Sequence, residues 1–504
     1  MRRSLLSLVS VALIAGACGS TAATNPSDAI DPPDHHVSTP RPYEPAPTPY
    51  DGVTFDDPGS NPYVDPEEDR ESTFGLDVDT ASYTVARRFL DDGRLPDPAS
   101  VRVEEYVNYF DQGYRAPEDD VFAIYSDGGP SPFLPEDELL LRVGLKTREV
   151  QDRARPDAAL TFVIDVSGSM DRENRLELVK RSLGLLVEEL GRDDSVAIVV
   201  YGSDARVVLP PTSARHPEEI LDVIDSLHPE GSTNAEAGLR LGYEIARETL
   251  VEGGINRVVL ASDGVANVGA VDADSILERI RDDAETGIQL VTVGFGMGNF
   301  NDALLEQLAD RGDGFYAYVD DIDEARRLFV DDLTSTLQSV ALDARVQVEF
   351  DPDVVAEYRL IGFENRAIDD DAFRDDRVDA GAIGAGHEVT ALYAVRLTGD
   401  VGRADRLGTV HLRWLDPEGR GADEIDHDIR LGDLAGSFGR TEATFQLDAL
   451  IAATGERLRG SQWGSDYTLR DVADVATEVS HDLPQTDEVH DFLELLEDAA
   501  DIER

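Results

Sequence analysis

The sequence predicts an α/β protein: a doubly wound, mostly parallel, Rossmann-like sheet, with β-sandwich-like strands flanking it and helices at the C-terminal end. Three observations predict this. Between about residues 156 and 340, short apolar runs alternate with amphipathic helical segments, the pattern of a parallel sheet covered on both faces. After Ala341 the apolar period shortens to two residues, as in half-buried antiparallel strands. From Thr444 the helical period returns. A chain of 504 residues has room for several domains.

Taken in order, the chain opens with an export signal over 1–17. Met1-Arg2-Arg3 is basic, residues 5–14 are apolar, and Ala15-Gly16-Ala17 supplies the small residues a signal peptidase needs. That apolar stretch is short of the roughly 20 residues a bilayer requires. Cys18, the single cysteine, follows directly, where a bacterial lipoprotein is lipidated and its mature chain begins. Ala15 stands where that pattern usually has leucine. The alternative is a secretory signal cut near Ala17 that leaves an incidental thiol. One cysteine rules out disulfides within the chain. Residues 18–69 are rich in Pro, Asp, Ser and Thr and read as a disordered tether.

Residues 70–150 form an N-terminal extension. Apolar residues at helical spacing predict helices over 81–90 and 100–110, the second introduced by Pro96-Asp97-Pro98, and 138–145 is a strand. Residues 151–340 hold the parallel sheet. Its strands are 159–164, 195–201, 257–261 and 289–294, with helices over 176–190, 218–227, 236–250 and 274–285. Helices over 301–309 and 323–337 close the layer. Residues 341–440 are β-rich, with strands at 345–350, 389–397 and 409–414, and residues 441–504 are helical over 444–458, 469–479 and 490–502.

The chemistry concentrates behind the first parallel strand. Asp165-Val166-Ser167-Gly168-Ser169 puts a carboxylate and two hydroxyls on one loop at the carboxyl edge of the sheet, where open α/β folds bind ligands. Thr233 lies in Gly231-Ser232-Thr233-Asn234, and Asp263 in Ser262-Asp263-Gly264 ends the strand after Val258-Val259-Leu260-Ala261. Oxygen donors of this kind suit a hard cation such as Mg²⁺. Ser and Asp also cap helices, which accounts for any one of these loops but not for three in order.

These motifs resemble the von Willebrand factor type A domain and its metal-ion-dependent adhesion site. Val200-Tyr201-Gly202-Ser203 and the run from Arg206 to Thr212 also look like that domain's second strand and hairpin. The runs 77–83 and 101–110, and the segments 355–366 and 378–387, resemble the N-terminal extension and C-terminal region of a bacterial lipoprotein family carrying the domain. The resemblance spans about residues 72–479. It implies that Ser167, Ser169 and Thr233 offer hydroxyls to Mg²⁺, with Mn²⁺ or Ca²⁺ as alternatives. Asp165 and Asp263 would act largely through bound water. Hydroxyl ligands leave such an ion electrophilic, so it takes an Asp or Glu carboxylate from a protein partner. The implied function is a lipid-anchored, extracytoplasmic protein-binding module and not an enzyme. A metal-assisted hydrolase using the same ion, or a scaffold in which the metal is only structural, are the alternatives.

The net charge of −58 argues against nucleic acid and anionic lipid surfaces as direct partners, since both would be repelled, leaving the lipid anchor as the expected contact with the membrane. Lys146 and Lys180 are the only lysines, which fits either a GC-rich genome or adaptation to high salt. Several motifs are set aside. Gly294-Phe295-Gly296-Met297-Gly298 lacks the third glycine spacing of a dinucleotide loop and reads as a tight loop of the sheet. Arg311-Gly312-Asp313 sits in a turn, and the run Asp369-Asp370-Asp371 lacks a calcium-loop frame. A Gly-x-Ser-x-Gly elbow, a P-loop and the histidine spacing of a zinc helix are all missing.

Overall fold

The computed structural model describes residues 55–503 except 151–154, 265–279, 281, 283, 285, 297–300, 379, 400 and 418. The expected signal, Cys18 and most of the tether lie outside the described residues, as does most of the helix expected over 274–285.

The apolar runs of the middle region become strands buried along nearly their whole length, joined by a partly exposed hairpin strand and a short edge strand. The strands are β4 (Ala158–Asp165), β5 (Ser195–Tyr201), β6 (Ala205–Ser213), β7 (Ile255–Ser262), β8 (Gln289–Gly294) and β9 (Tyr316–Tyr318), and they form one sheet in the order β6-β5-β4-β7-β8-β9. Every pairing is parallel except β5 with β6, which is a hairpin. Alternate residues of β4 feed two cores. Phe162 and Ile164 pack with α3 (Arg175–Glu189) and α4 (Pro217–Ser226) on one face. Val163 packs with α5 (Ala235–Glu248) and α6 (Asp302–Arg311) on the other. Order reverses at β4, whose neighbours β5 and β7 follow it on opposite sides. This is the switch point at which open sheets leave a crevice at their carboxyl edge.

Around this sheet the segments that flank it on either side in the sequence interleave. Strands β1 (Glu71–Gly75), β10 (Ser339–Phe350), β14 (Arg406–Leu415) and β15 (Ala422–Arg430), with β12 (Ala382–Gly384) on β10, make one antiparallel sheet. Strands β2 (Phe122–Gly129), β3 (Glu138–Thr147), β11 (Val355–Ile361) and β13 (Glu388–Leu397) make a second, ordered β11-β13-β3-β2. Phe74, Val143, Val346, Tyr393 and Trp414 fill the space between them. Residues 70–150 and 341–440 therefore share one sandwich. The outer face of the second sheet, through Leu140, Leu392 and Ala394, is covered by α2 (Val103–Asn108) and by α7 (Ala443–Leu458), α8 (Leu469–Val479) and α9 (Asp487–Ile502).

Two helices differ from their expected form. Over 100–110 the chain makes a 3₁₀ turn at Pro98–Ser100, is extended at Val101 and Arg102, and only then enters α2. The extended step lets the Arg102 N–H donate to Ser82 Oγ at 2.8 Å. Over 323–337 the expected single helix is two short ones, Ile322–Arg326 and Leu333–Leu337, with a π-helical turn at Arg327–Asp331 between them. Leu328, Phe329, Leu333 and Leu337 all reach the sheet core from this broken segment.

Buried and partly buried guanidinium groups fasten the sheet to the layers around it. Arg102 meets Glu105 at 3.2 Å and, on α6, Asp302 at 2.6 Å and Glu306 at 2.8 Å. Arg366 meets Asp77, Asp79, Glu306 and Asp310 at 2.9–3.3 Å. Helix α1 (Ala81–Asp91) lies beside β9, with Thr84 Oγ1 donating to the Tyr318 carbonyl at 2.9 Å and Arg87 paired to Asp320 at 2.6 Å.

Candidate metal centre

The last residue of β4 is Asp165, and the first residue after β7 is Asp263, so parallel pairing brings the two carboxylates to the same edge. Between them runs the loop carrying Ser167 and Ser169. The Ser167 N–H donates to Asp165 Oδ1 at 2.7 Å, which folds the loop back over the strand end. Ser167 Oγ and Ser169 Oγ lie 2.9 Å apart, and Ser169 Oγ donates to Asp263 Oδ1 at 3.0 Å. Oxygens from Ser167, Ser169 and Asp263 thus form an unbroken chain, with Asp165 tied in through the backbone. The Gly231–Asn234 loop is docked on the same loop, because the Gly168 N–H donates to the Gly231 carbonyl at 3.3 Å. It carries the half-buried Thr233 and ends in Asn234, whose side chain caps α5 by accepting from the Ala237 N–H. The structure therefore gathers Asp165, Ser167, Ser169 and Asp263 into one set and docks the Thr233 loop against it.

Two carboxylates so close require support. Ser262 Oγ donates to Asp165 Oδ2 at 3.1 Å, and Arg175 Nη1 donates to Asp263 Oδ2 at 2.7 Å. Burial pushes the Asp165 carboxyl up to about 6, the Ser167 N–H and hydroxyl pulling it back and Asp263 adding to the rise. Sequence reading missed Ser262 and Arg175. Both act through folded geometry: Arg175 meets a carboxylate 88 positions away, and no local pattern marks that meeting. An all-oxygen set of two hydroxyls and two carboxylates, three of its oxygens linked in sequence by hydrogen bonds, fits a hard divalent cation. When bound, the ion would supply a Lewis-acidic position for an oxygen from outside.

Two other groups of close donors have different explanations. Asp77, Asp79 and Glu306 converge on one another, but the Arg366 guanidinium already lies against all three. His411, Glu424 and Asp426 meet on the outward side of β14 and β15, where Arg374 and Arg413 hold Glu424. Each group already has a guanidinium as its cation.

Comparison with known proteins shows the family of the chain. The family model "von Willebrand factor type A domain" matches residues 159–331, the model "von Willebrand factor" matches 50–141, and "Uncharacterized protein YfbK, C-terminal" matches 335–502. YfbK of Escherichia coli K12 is 37% identical over 456 residues, covering 86% of this chain and 78% of that protein. The protein sll0103 of Synechocystis is 28% identical over 210 residues, with 42% of this chain and 49% of that protein covered. Human inter-alpha-trypsin inhibitor heavy chain H3 is 29% identical over 213 residues, 41% of this chain and 22% of its own length. The chain thus spans about half of the Synechocystis protein and about a fifth of the heavy chain. Among solved structures, a von Willebrand factor type A protein from Catenulispora acidiphila aligns with a TM-score of 0.45 at 17% identity, over 77% of this chain and 91% of that one. Type A domains are typically protein-interaction modules, often built around a divalent metal. The chain belongs to the YfbK family of von Willebrand factor type A proteins.

Proposed function

We propose that the protein is a lipid-anchored, extracytoplasmic binding module whose type A domain grips an Asp or Glu carboxylate of a protein partner through Mg²⁺. The observation that carries this reading is the contact chain Ser167 Oγ, Ser169 Oγ, Asp263 Oδ1 at the carboxyl edge of the sheet. In this reading Ser167, Ser169 and Thr233 hold the ion by their hydroxyls. Asp165 and Asp263 supply the negative charge, largely through water. Neutral ligands leave the ion short of charge, and a carboxylate from outside completes its octahedron.

The protein acts by binding and not by catalysis. Ser262 and Arg175, the side chains that hold the two carboxylates, are hydrogen-bond donors to them and not a positioned base. Cys18 carries the lipid in this reading, and residues 18–69 give the body its reach. Among the described residues no helix is long and apolar enough to cross a membrane. Bacterial lipoproteins carry several acyl chains, and more than one chain is what stable anchoring takes.

The test is capture of partners from envelope extract by the full chain, with Mg²⁺ and with chelator, beside Thr233→Ala. Proteins retained only with Mg²⁺, and lost in the variant, support the reading. Capture that ignores both chelator and mutation removes it.

A further inference from the structure

Arg175 occupies a position that ordinary helix chemistry disfavours. It is the first residue of α3, where a cation opposes the helix dipole. The turn leading to it passes through Glu173 and Asn174 at φ 52° and 58°, left-handed values that cost non-glycine residues free energy. Its guanidinium is buried, and Nε has no hydrogen-bond partner among the described residues. The loop after β8 makes room for it: Gly296 sits at φ +80°, and a Cβ there would overlap the guanidinium. Glycine in the Gly294-Phe295-Gly296 run thus has a reason that no nucleotide supplies. These features share one outcome, the 2.7 Å contact of Nη1 with Asp263 Oδ2. The other acid in reach, Glu173 at 3.3 Å, is half exposed and screened by water.

We propose that Arg175 is a fixed counter-charge of the metal centre, a positioning residue that keeps one oxygen of Asp263 and holds down the affinity for the ion. The inference rests on the metal-centre reading above and specifies how that centre chooses its ligand. Asp165 and Asp263 bring two negative charges, and Arg175 cancels one. A divalent ion among neutral hydroxyls then leaves one net positive charge, which a single carboxylate from outside neutralises. Without Arg175 the ion would already be balanced, bound more tightly and less in need of that carboxylate.

The experiment is calorimetric titration of Mg²⁺ into the full-length chain as wild type, Arg175→Met and Arg175→Lys, with and without acetate as the carboxylate probe. Removing a like charge within a few ångströms of a site shifts its affinity for a cation by about tenfold or more. Arg175→Met is therefore expected to bind Mg²⁺ at least about tenfold more tightly, with acetate enhancing binding less than in wild type. Arg175→Lys keeps the charge and stays close to wild type. A merely structural arginine would lower the melting temperature of both variants and leave Mg²⁺ affinity unchanged or weaker, which overturns the proposal while the metal centre stands. If wild type binds no Mg²⁺, the metal-centre reading fails and this inference with it. Should Arg175→Met not fold, Arg175→Gln, which keeps a donor for Asp263 without the charge, carries the same expectation.

Discussion

Arg102→Met is the substitution that most directly tests how the central domain is held. Methionine keeps much of the apolar stem and removes only the cation. In the structure that cation faces Glu105, Asp302 and Glu306 at 3.2, 2.6 and 2.8 Å, and its own side chain is 4% exposed. Arg366 reaches Glu306 but takes no part at Glu105 or Asp302 in these contacts. Stripping one partner from a buried ion pair costs about 3–5 kcal/mol, because the remaining charges stay desolvated. The size should also depend on pH in a defined direction. Burial pushes the Glu306 carboxyl up to about 7 from an ordinary 4.5, while Arg102 and Arg366 pull it back. The folded state then holds that proton more tightly than the unfolded chain, so raising pH through this window costs stability. Without Arg102 the carboxyl rises further, and the deficit of the variant should be larger at pH 8 than at pH 5. Urea unfolding followed by far-UV circular dichroism measures it. Fluorescence of Trp414 and Trp463, both outside the central domain, reports whether the sandwich unfolds with the rest. A deficit under about 1 kcal/mol, the scale of exposed pairs, or one equal at pH 5 and 8, would show that Arg102 does not hold the domain in this way.

Other outcomes follow from the same contacts. Gly242→Val places a branched side chain of α5 against Val163 of β4, where even a bare Cβ would collide, and overpacking of this kind costs about 1–3 kcal/mol in thermal unfolding. His387 accepts the Gly384 N–H on Nδ1 at 3.2 Å, and burial with the Lys146 charge beside it lowers its pKa to about 4. Its imidazole NMR shift should stay flat from pH 8 to about pH 5, and because the unfolded histidine titrates near 6.5, stability should fall as pH drops below that value; a midpoint near 6.5 in the folded protein would contradict this. Cys18→Ser should move the protein from the membrane fraction to the soluble fraction without changing its melting temperature, and unaltered fractionation would remove the anchor.

Strands that are apolar throughout were legible because burial on both faces leaves no alternation to misread. Asp165 and Asp263 were legible for a related reason: each stands where such a run stops. The sandwich-like strands were legible, but their pairing across the chain was not. Pairing of β3 with β13 joins Val143 to Ala391, and nothing within either segment records a partner so far along the chain. The breaks at Val101 and Arg102, and at the π-helical turn, belong to tertiary contacts that override helical spacing. Arg175 was invisible for the same reason, since an arginine opening a helix looks like any solvated charge until Asp263 and Gly296 are brought to it.

The most direct measurement is thermal melting of the full chain in chelator and in saturating Mg²⁺, for wild type, Asp165→Ala and Thr233→Ala. An ion that binds only the folded state stabilises it by mass action, about 2.7 kcal/mol at a hundred times the dissociation constant. That increment is expected in wild type and in neither variant, with all three folded in chelator because these residues lie on loops and strand ends. Identical melting of wild type with and without Mg²⁺ would contradict it.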